Sequence, residues 1–230
     1  MNSARGPRKA FRATSRVAKS ARPVPGPPVG RSNTDEAMLS LEGLRKEVAG
    51  CKRCPLYAGA TQAVAGEGPP RAQLMFVGEQ PGDQEDLQGR PFVGPAGRLL
   101  DRAMAEAGLD RSSAYVTNAV KHFKSEPRGK RRIHKKPNAG EVTACRWWLE
   151  KEITAVQPGL IVALGATAAV TLARRPISVT RERGPVMFGA LQGFVTTHPS
   201  ALLRAPDDSR KQEYDRFVAD LREIRKMCAL

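Results

Sequence analysis

The sequence lacks any apolar run long enough to cross a membrane, since no segment reaches the roughly 18 apolar residues that a spanning helix needs. The longest candidate, from Leu160 to Ala173, is interrupted by Gly165 and by two threonines. No secretory signal is visible either. These absences argue against a membrane protein and predict a cytoplasmic location.

Cysteine is scarce, with four residues among 230, and without an export signal these four are not expected to form a disulfide framework. A metal-binding or redox role is the first expectation instead. Cys51 and Cys54 are separated by two residues, a spacing that lets both thiolates face one metal ion or cluster.

Acidic residues are outnumbered, since 23 Asp and Glu accompany 38 Lys and Arg, which gives a formal net charge of +15. Residues 1–34 contain eight basic residues and no acidic one, and residues 121–136 contain eight more against Glu126 alone. This excess predicts a polyanionic partner, with nucleic acid first, although a generally solvated basic surface has the same composition. We expect residues 1–34 to be a disordered tail and residues 35–230 to form one folded domain.

Helical and strand patterns alternate along the predicted domain. Strands are predicted at 73–78, 114–121, 160–164 and 194–197, and helices at 35–50, 96–107, 139–156, after Gly165 and at 208–227. This alternation predicts an α/β fold, a three-layer sandwich around a central, mainly parallel four-stranded sheet.

Chemically reactive side chains follow three of the predicted strands. The segments are Glu79 to Gly82, the basic stretch that ends in His134, and His198 to Ser200. Ligands of parallel sheets bind at the carboxyl ends of the strands, so we expect all three segments at one edge of the sheet.

Four segments resemble the UdgX branch of the uracil-DNA glycosylase superfamily, which is close to the iron-sulfur family 4 enzymes. They are GEQPGDQEDLQGRPFVGPAG (Gly78 to Gly97), YVTNAVKHF (Tyr115 to Phe123), GKRRIHKKP (Gly129 to Pro137) and THPSALLR (Thr197 to Arg204). The resemblance runs from Cys51 to the C-terminal helix. It implies an α/β sandwich, uracil-DNA glycosylase activity, and a covalent bond between a histidine and the abasic sugar.

Uracil must be flipped out of a duplex, or met in a single strand, before its glycosidic bond can be reached. A pocket for it needs a stacking face, which Phe92 can supply, and a matched polar edge, which Asn118 can supply. Uracil presents N3–H and O4 where cytosine presents the opposite pattern, so an asparagine held in one orientation discriminates between them. Considered singly, Phe92 also fits a packing role and Asn118 a turn.

Cleavage of the glycosidic bond develops negative charge on the base and positive charge on the sugar. Backbone amides at Gly82 and Asp83, together with Gln80, are candidates to stabilise the anion at uracil O2. The resemblance implies that Glu79 stabilises the sugar cation or orients the attacking group. The alternative for Glu79 is a carboxylate on a surface loop.

The resemblance also implies that His134 attacks the sugar carbon and remains bonded to it. A neutral imidazole is a competent nucleophile near pH 7 when a partner holds its other nitrogen, and Glu79 or Gln80 is the candidate partner. Arg132 is expected to bind substrate or to brace the loop. Charge alone indicates a phosphate-binding or solvated basic run, which is compatible with either role.

The segment His198-Pro199-Ser200 resembles the second motif of the family. The resemblance implies that His198 lies near uracil O2 and that Ser200 contributes to substrate binding.

The resemblance further implies a [4Fe-4S] cluster, with Cys145 joining Cys51 and Cys54 as a ligand. The family's usual fourth cysteine is absent, and His122 occupies its place, so we expect His122 to be the fourth ligand. Cys228 is the rival for that position. A zinc ion held by the same residues is the chemical alternative.

The sequence thus predicts a monomeric enzyme that excises uracil from DNA, preferably single-stranded, and traps its own product through His134. One alternative is a related glycosylase that turns over and releases a free abasic site. Another is a non-catalytic iron-sulfur protein that binds nucleic acid through its tail and basic loop.

Overall fold

A computed structural model of the chain describes residues 40–129 and 131–228. The predicted tail, residues 1–34, and the first part of the predicted helix 35–50 lie outside the described residues. The helices are α1 Leu41–Ala49, α2 Asp83–Gln88, α3 Pro95–Ala107, α4 Ala139–Val156, α5 Ala166–Ala173, α6 Pro199–Leu203 and α7 Asp207–Met227, with 3-10 turns at Pro55–Ala58 and Arg111–Ser113. The strands are β1 Leu74–Gly78, β2 Tyr115–Asn118, β3 Ser125–Arg128, β4 Arg131–His134, β5 Leu160–Leu164, β6 Gly184–Phe188 and β7 Leu191–Thr196.

The central sheet has the strand order β2-β1-β5-β7-β6. Its first four strands are parallel, and β6 pairs antiparallel with β7. Every residue of β1, β2 and β5 is buried, which explains their continuous apolar sequences. The predicted α/β fold with a mainly parallel sheet is confirmed.

The sheet has one strand more than predicted, because β6 was not recognised in the sequence. It begins Gly184-Pro185, and both residues are typical of strand ends and sheet edges rather than strand interiors. A two-residue turn at Gly189-Ala190 connects it to β7, and Gly189 has a positive φ of 63°. This edge strand is half-exposed, so its apolar pattern is weak.

Two apolar clusters fill the two sides of the sheet. Successive strand residues point to opposite faces, so Phe76 packs in one cluster with α3 and α7, while Met75 and Val77 pack in the other with α4 and α5. Each cluster fills the interface between the sheet and the helices on one side, which gives three layers. Among the described residues, no helix is both long and apolar enough to cross a membrane.

Most predicted helix ends agree with the structure because their caps are visible in the sequence. Gly108 ends α3 in the left-handed conformation, with φ at 75°. Asn138 begins α4 by accepting a hydrogen bond from the Glu141 amide, and the Glu141 carboxylate accepts one from the Asn138 amide in return.

The basic segment predicted as a loop contains an antiparallel hairpin of β3 and β4. Ser125 pairs with His134, and only Ile133 of the strand β4 carries a large apolar side chain, which is 43% exposed. A strand pattern needs one apolar face, and this hairpin has none. We name residues Ser125–His134 the basic hairpin.

Candidate active site

The carboxyl ends of the parallel strands place the three reactive segments at one edge of the sheet. Gly78 ends β1, Asn118 ends β2 beside it, and Thr196 ends β7 two residues before His198. His134 at the end of the basic hairpin contacts Glu79, which directly follows β1. The site is therefore built from segments that are far apart in the sequence.

Gly78, Phe92 and Asn118 meet at the carboxyl end of β1. A methyl group built on Gly78 would lie 2.3 Å from Asn118 Oδ1 and 2.8 Å from the Phe92 ring. Both distances are shorter than any side chain tolerates, so glycine is what allows the ring and the amide to approach the strand. The two residues predicted to contact uracil are therefore neighbours.

Phe92 occupies an unusual backbone conformation for a residue with a side chain, with φ at +57°. The backbone of Gly97 lies directly against it, because a methyl group on Gly97 would lie 1.7 Å from the Phe92 carbonyl oxygen. Strain of this kind persists where the surrounding structure fixes the residue. The Phe92 ring is thus held in place rather than free to rearrange.

Asn118 is 97% buried by its neighbours, with a relative exposure of 3%. Within residues 40–129 and 131–228, no hydrogen-bond partner is found for its side-chain amide, while its backbone carbonyl accepts a hydrogen bond of 2.8 Å from Lys121 Nζ. One donor and one acceptor are therefore available at this position, as recognition of a pyrimidine edge requires.

His198 is the N-cap of α6, and its ring lies 6.1 Å from the Phe92 ring between centroids. Its Nδ1 accepts a hydrogen bond of 3.1 Å from the Ser200 amide and lies 2.8 Å from the Ser200 hydroxyl. Burial lowers the pKa of His198 to about 4. The imidazole is therefore neutral near pH 7 and carries its proton on Nε2, and Ser200 fixes this tautomer.

The closest contact between predicted catalytic residues joins His134 and Glu79. His134 Nε2 lies 3.3 Å from Glu79 Oε1, and the imidazole is half-exposed. Burial alone would raise the pKa of Glu79, but hydrogen bonds with His134 and Thr167 outweigh it and hold this pKa below its ordinary value. Glu79 is therefore an anion beside the imidazole, and of the two candidate partners of His134 it is the one in contact.

The Gln80 side chain contacts the residues that flank the basic hairpin. Its amide nitrogen donates to the carbonyl oxygens of Lys124 and Lys135 at 3.3 and 3.0 Å, and its amide oxygen accepts from the Lys124 amide at 3.1 Å. The buried side chain is therefore hydrogen-bonded at both amide atoms and holds the two ends of the hairpin together. Its role at uracil O2 stays a prediction.

Arg132 contacts protein carboxylates. Its guanidinium donates to Asp83 at 2.7 Å and to Asp86 at 2.5 Å, and it lies 5.3 Å above the Phe123 ring. Asp86 is completely buried, and its hydrogen bonds with Thr61 and Arg132 outweigh burial and lower its pKa. These contacts join the basic hairpin to α2. Both roles of Arg132, in binding substrate and in bracing the loop, stay predictions.

Gly82 and Asp83 form the start of α2, with Gly82 as the N-cap. A side chain on Gly82 would collide with the Glu85 carboxylate, because its first carbon would lie 2.6 Å from Oε2. In the described part of the chain, no side chain caps this helix end. Their backbone amides remain candidates for the anion, while the Asp83 carboxylate is paired with Arg132.

Sequence reasoning missed Thr167. Its hydroxyl donates a short hydrogen bond to Glu79 Oε2, on the oxygen opposite the His134 contact. Thr167 lies in the first turn of α5, directly after β5. The rule that identified the other three segments also applied to Gly165-Ala166-Thr167, but a threonine between alanines gave no chemical signal.

The three cysteines predicted to be ligands are buried in one apolar cluster with Trp148. The Trp148 indole donates to Cys51 Sγ at 3.0 Å, and the Lys121 amide donates to Cys145 Sγ at 3.1 Å. Burial raises the pKa of Cys145 to about 12 and also raises the pKa of Cys54. Hydrogen bonds of this kind to sulfur are typical of thiolates that bind iron.

His122 is buried and directly follows Lys121 in the sequence, and no partner for its Nδ1 is found within the described residues. An unpaired buried ring nitrogen suits a ligand for a metal. Across residues 40–129 and 131–228, however, no three His, Cys, Asp or Glu side chains are arranged to hold a metal ion. The ligand set therefore stays a prediction. Cys228, the rival ligand, instead packs at the edge of the α3 and α7 cluster.

A family model and the similar proteins all indicate the same family. Residues 65–222 match the family model described as the uracil DNA glycosylase superfamily. A type-4 uracil-DNA glycosylase from Sulfurisphaera tokodaii is 38% identical over 188 residues, covering 77% of this chain and 82% of that protein. Type-4 uracil-DNA glycosylases from Thermotoga maritima and Archaeoglobus fulgidus are 39% and 34% identical, covering 78% and 83% of this chain and 90% and 94% of their own lengths.

The matched region contains the whole central sheet together with Gly78, Phe92 and Asn118. It also contains the His134 and His198 segments. This chain belongs to the uracil-DNA glycosylase superfamily.

Proposed function

We propose that this chain excises uracil from DNA and that His134 then bonds to the sugar carbon that loses the base. The contact between His134 Nε2 and Glu79 Oε1 carries the second part of this proposal, since it places a nucleophile beside a carboxylate at the pocket. The likeness to type-4 uracil-DNA glycosylases supports the first part.

Phe92 and Asn118 recognise the base in this proposal. The ring supplies a stacking face of fixed orientation, and the Asn118 amide offers an acceptor to uracil N3–H and a donor to O4. Cytosine reverses the pattern at this edge and leaves both groups unpaired, which is costly in a buried site. The pocket therefore favours uracil over cytosine.

Cleavage breaks the bond between the sugar carbon and uracil N1, and the electron pair leaves with the base. The Ser200 amide donates to Nδ1 of His198, so the proton of the neutral ring is on Nε2. This Nε2–H donates a hydrogen bond to uracil O2, where the negative charge develops. The Glu79 carboxylate stabilises the positive charge on the sugar. A ring nitrogen of His134 then supplies its lone pair to the sugar carbon, and Glu79 stabilises the resulting imidazolium.

The test uses a single-stranded oligonucleotide with one uracil and a denaturing gel. We expect a protein–DNA band that survives denaturation, is absent with a thymine oligonucleotide, and is lost in His134→Ser. Ile133→Ser is the matched control, because Ile133 lies on the opposite face of the same strand and is exposed. Its adduct should form as in the wild type.

Two other outcomes would contradict the covalent step. Free uracil with alkali-labile DNA and no adduct indicates the turnover-competent glycosylase. Neither product indicates the non-catalytic binding protein.

We also propose that Cys51, Cys54, Cys145 and His122 hold a [4Fe-4S] cluster. The support is the burial of all three cysteines in one cluster, the N–H hydrogen bonds to two of the sulfurs, and the unpaired Nδ1 of His122. Such a cluster would tie the segment after α1 to α4 and supply structural stability.

Iron and zinc analysis with visible absorption spectra tests this ligand set. We expect four iron atoms per chain as the full complement of the cluster, reduced in His122→Ala and unchanged in Cys228→Ala. Zinc in place of iron, or full iron in His122→Ala with loss in Cys228→Ala, would contradict the assignment.

A further inference from the structure

The Glu79 carboxylate is held at both of its oxygen atoms. Oε1 lies 3.3 Å from His134 Nε2, and Oε2 accepts the hydrogen bond from the Thr167 hydroxyl. The three residues come from the loop after β1, from the end of β4 and from the first turn of α5. The contacts of Thr167 with Glu79 and of Glu79 with His134 therefore link three separate elements.

A glutamate side chain has three rotatable bonds, so one contact with a mobile partner does not fix its direction. His134 is such a partner, because its imidazole is half-exposed at the end of the basic hairpin. Thr167 is 9% exposed, and its β-branched side chain has few rotamers in a helix. The rigid anchor of the carboxylate is thus Thr167.

We propose that Thr167 is a positioning residue, whose hydroxyl fixes Glu79 so that its other oxygen faces His134. This inference rests on the proposed function. Thr167 acts through Glu79, because it contacts the oxygen that is turned away from the imidazole.

The first test compares the single-turnover rates of adduct formation in wild type and Thr167→Val. The substitution keeps the shape and removes the hydroxyl, and we expect a rate about ten-fold lower, since a hydrogen bond to a charged group is lost. Thr171→Val is the matched control. Thr171 is buried one turn later on α5, where its hydroxyl bonds to the Thr167 carbonyl, and its loss should leave the rate near that of the wild type.

A pH profile separates positioning from a general effect on folding. His134 and His198 are the titratable groups that face Glu79, and the Thr167 hydrogen bond adds to their stabilisation of the carboxylate. Removing it raises the pKa of Glu79, so the acidic limb of the profile should move to higher pH in Thr167→Val. Thr167→Ser restores a hydroxyl and should return both the limb and the rate toward wild type.

The outcomes distinguish this inference from the proposed function. If the wild type forms no adduct, the proposed function fails. If the wild type forms an adduct and Thr167→Val matches it in both rate and pH profile, the positioning role of Thr167 is wrong. A thermal melt of each variant identifies a folding defect, and slow reaction in Thr167→Ser as well as Thr167→Val would also overturn the inference.

Discussion

Gly78 determines how closely Phe92 and Asn118, the groups proposed to bind the base, approach the sheet. It is the last residue of β1, and both the Phe92 ring and the Asn118 amide lie where its side chain would be. A side chain at this position would displace both groups, so glycine is needed for their close approach to β1. Because Gly78 ends the strand, the remaining residues of β1 keep their apolar packing.

We expect Gly78→Ala to lower the single-turnover rate of uracil release about 100-fold, because displacing a binding group by about 1 Å has effects of this size. Gly59→Ala is the matched control, since nothing lies within 4 Å of a methyl group at that position. Its rate should equal that of the wild type. Normal uracil release by Gly78→Ala would show that Phe92 and Asn118 do not form the pocket.

At the level of single residues, the motifs indicated the candidate site residues but not their contacts. Asn118, Phe92 and His198 are candidates because each stands in a motif with a recognisable pattern, and their roles stay predictions. The partner of each side chain could not be found, because partners depend on the register of distant segments. Gln80 illustrates this, since its side chain contacts the residues that flank the basic hairpin, 44 and 55 positions away.

Among the elements, the basic hairpin determines the position of His134. It is not anchored by an apolar face, so polar contacts at its ends hold it. Gln80 bonds to both flanks, and Arg132 bonds to α2. The Lys135 amide also donates to the Lys124 carbonyl at 2.9 Å and closes the hairpin.

We expect Gln80→Ala to loosen the hairpin and to change the product more than the rate of base loss. With His134 less well placed, water should capture more of the sugar, so the share of adduct falls about ten-fold relative to the free abasic site. A denaturing gel with and without alkali measures this share. Gln192→Ala, on the exposed face of β7, is the control and should keep the wild-type share. An unchanged share in Gln80→Ala would show that the hairpin is held without it.

The predicted elements agree with the structure where burial dictates the pattern. The helix 139–156 and the strand 160–164 have the bounds that the sequence indicated, because one has a capping box and the other is a continuous apolar run. The sequence pattern does not indicate the strands of the basic hairpin or β6, because burial does not determine their residues. Both are exposed, and their strands form through backbone pairing rather than through an apolar face.

For the molecule as a whole, a buried ion pair joins the sheet to α4 behind the site. Lys121 Nζ lies 2.7 Å from Glu152 Oε2, and neither side chain is exposed by more than 1%. Glu152 also accepts from the Thr117 hydroxyl at 2.7 Å and from the Gly66 amide at 2.8 Å. Lys121 in turn donates to the Asn118 carbonyl, so this network also holds the backbone of Asn118, the residue proposed to bind the base.

We expect Glu152→Ala to lower the free energy of unfolding by about 3–5 kcal/mol, because Lys121 would be left as a buried charge without its partner. Glu150→Ala is the control on the same helix. Its ion pairs with Arg146 and Arg174 lie near the surface, and removing them should cost about 0–1 kcal/mol. Urea denaturation measures both values, and equal losses in the two variants would contradict the role of the buried pair.

Mass spectrometry can show whether an imidazole of this protein bonds to deoxyribose, as we propose. The sample is the peptide that contains His134, after reaction with a uracil oligonucleotide and nuclease digestion. We expect this peptide to carry the mass of a sugar-phosphate remnant on His134. An unmodified peptide in a sample that has released its uracil would contradict it.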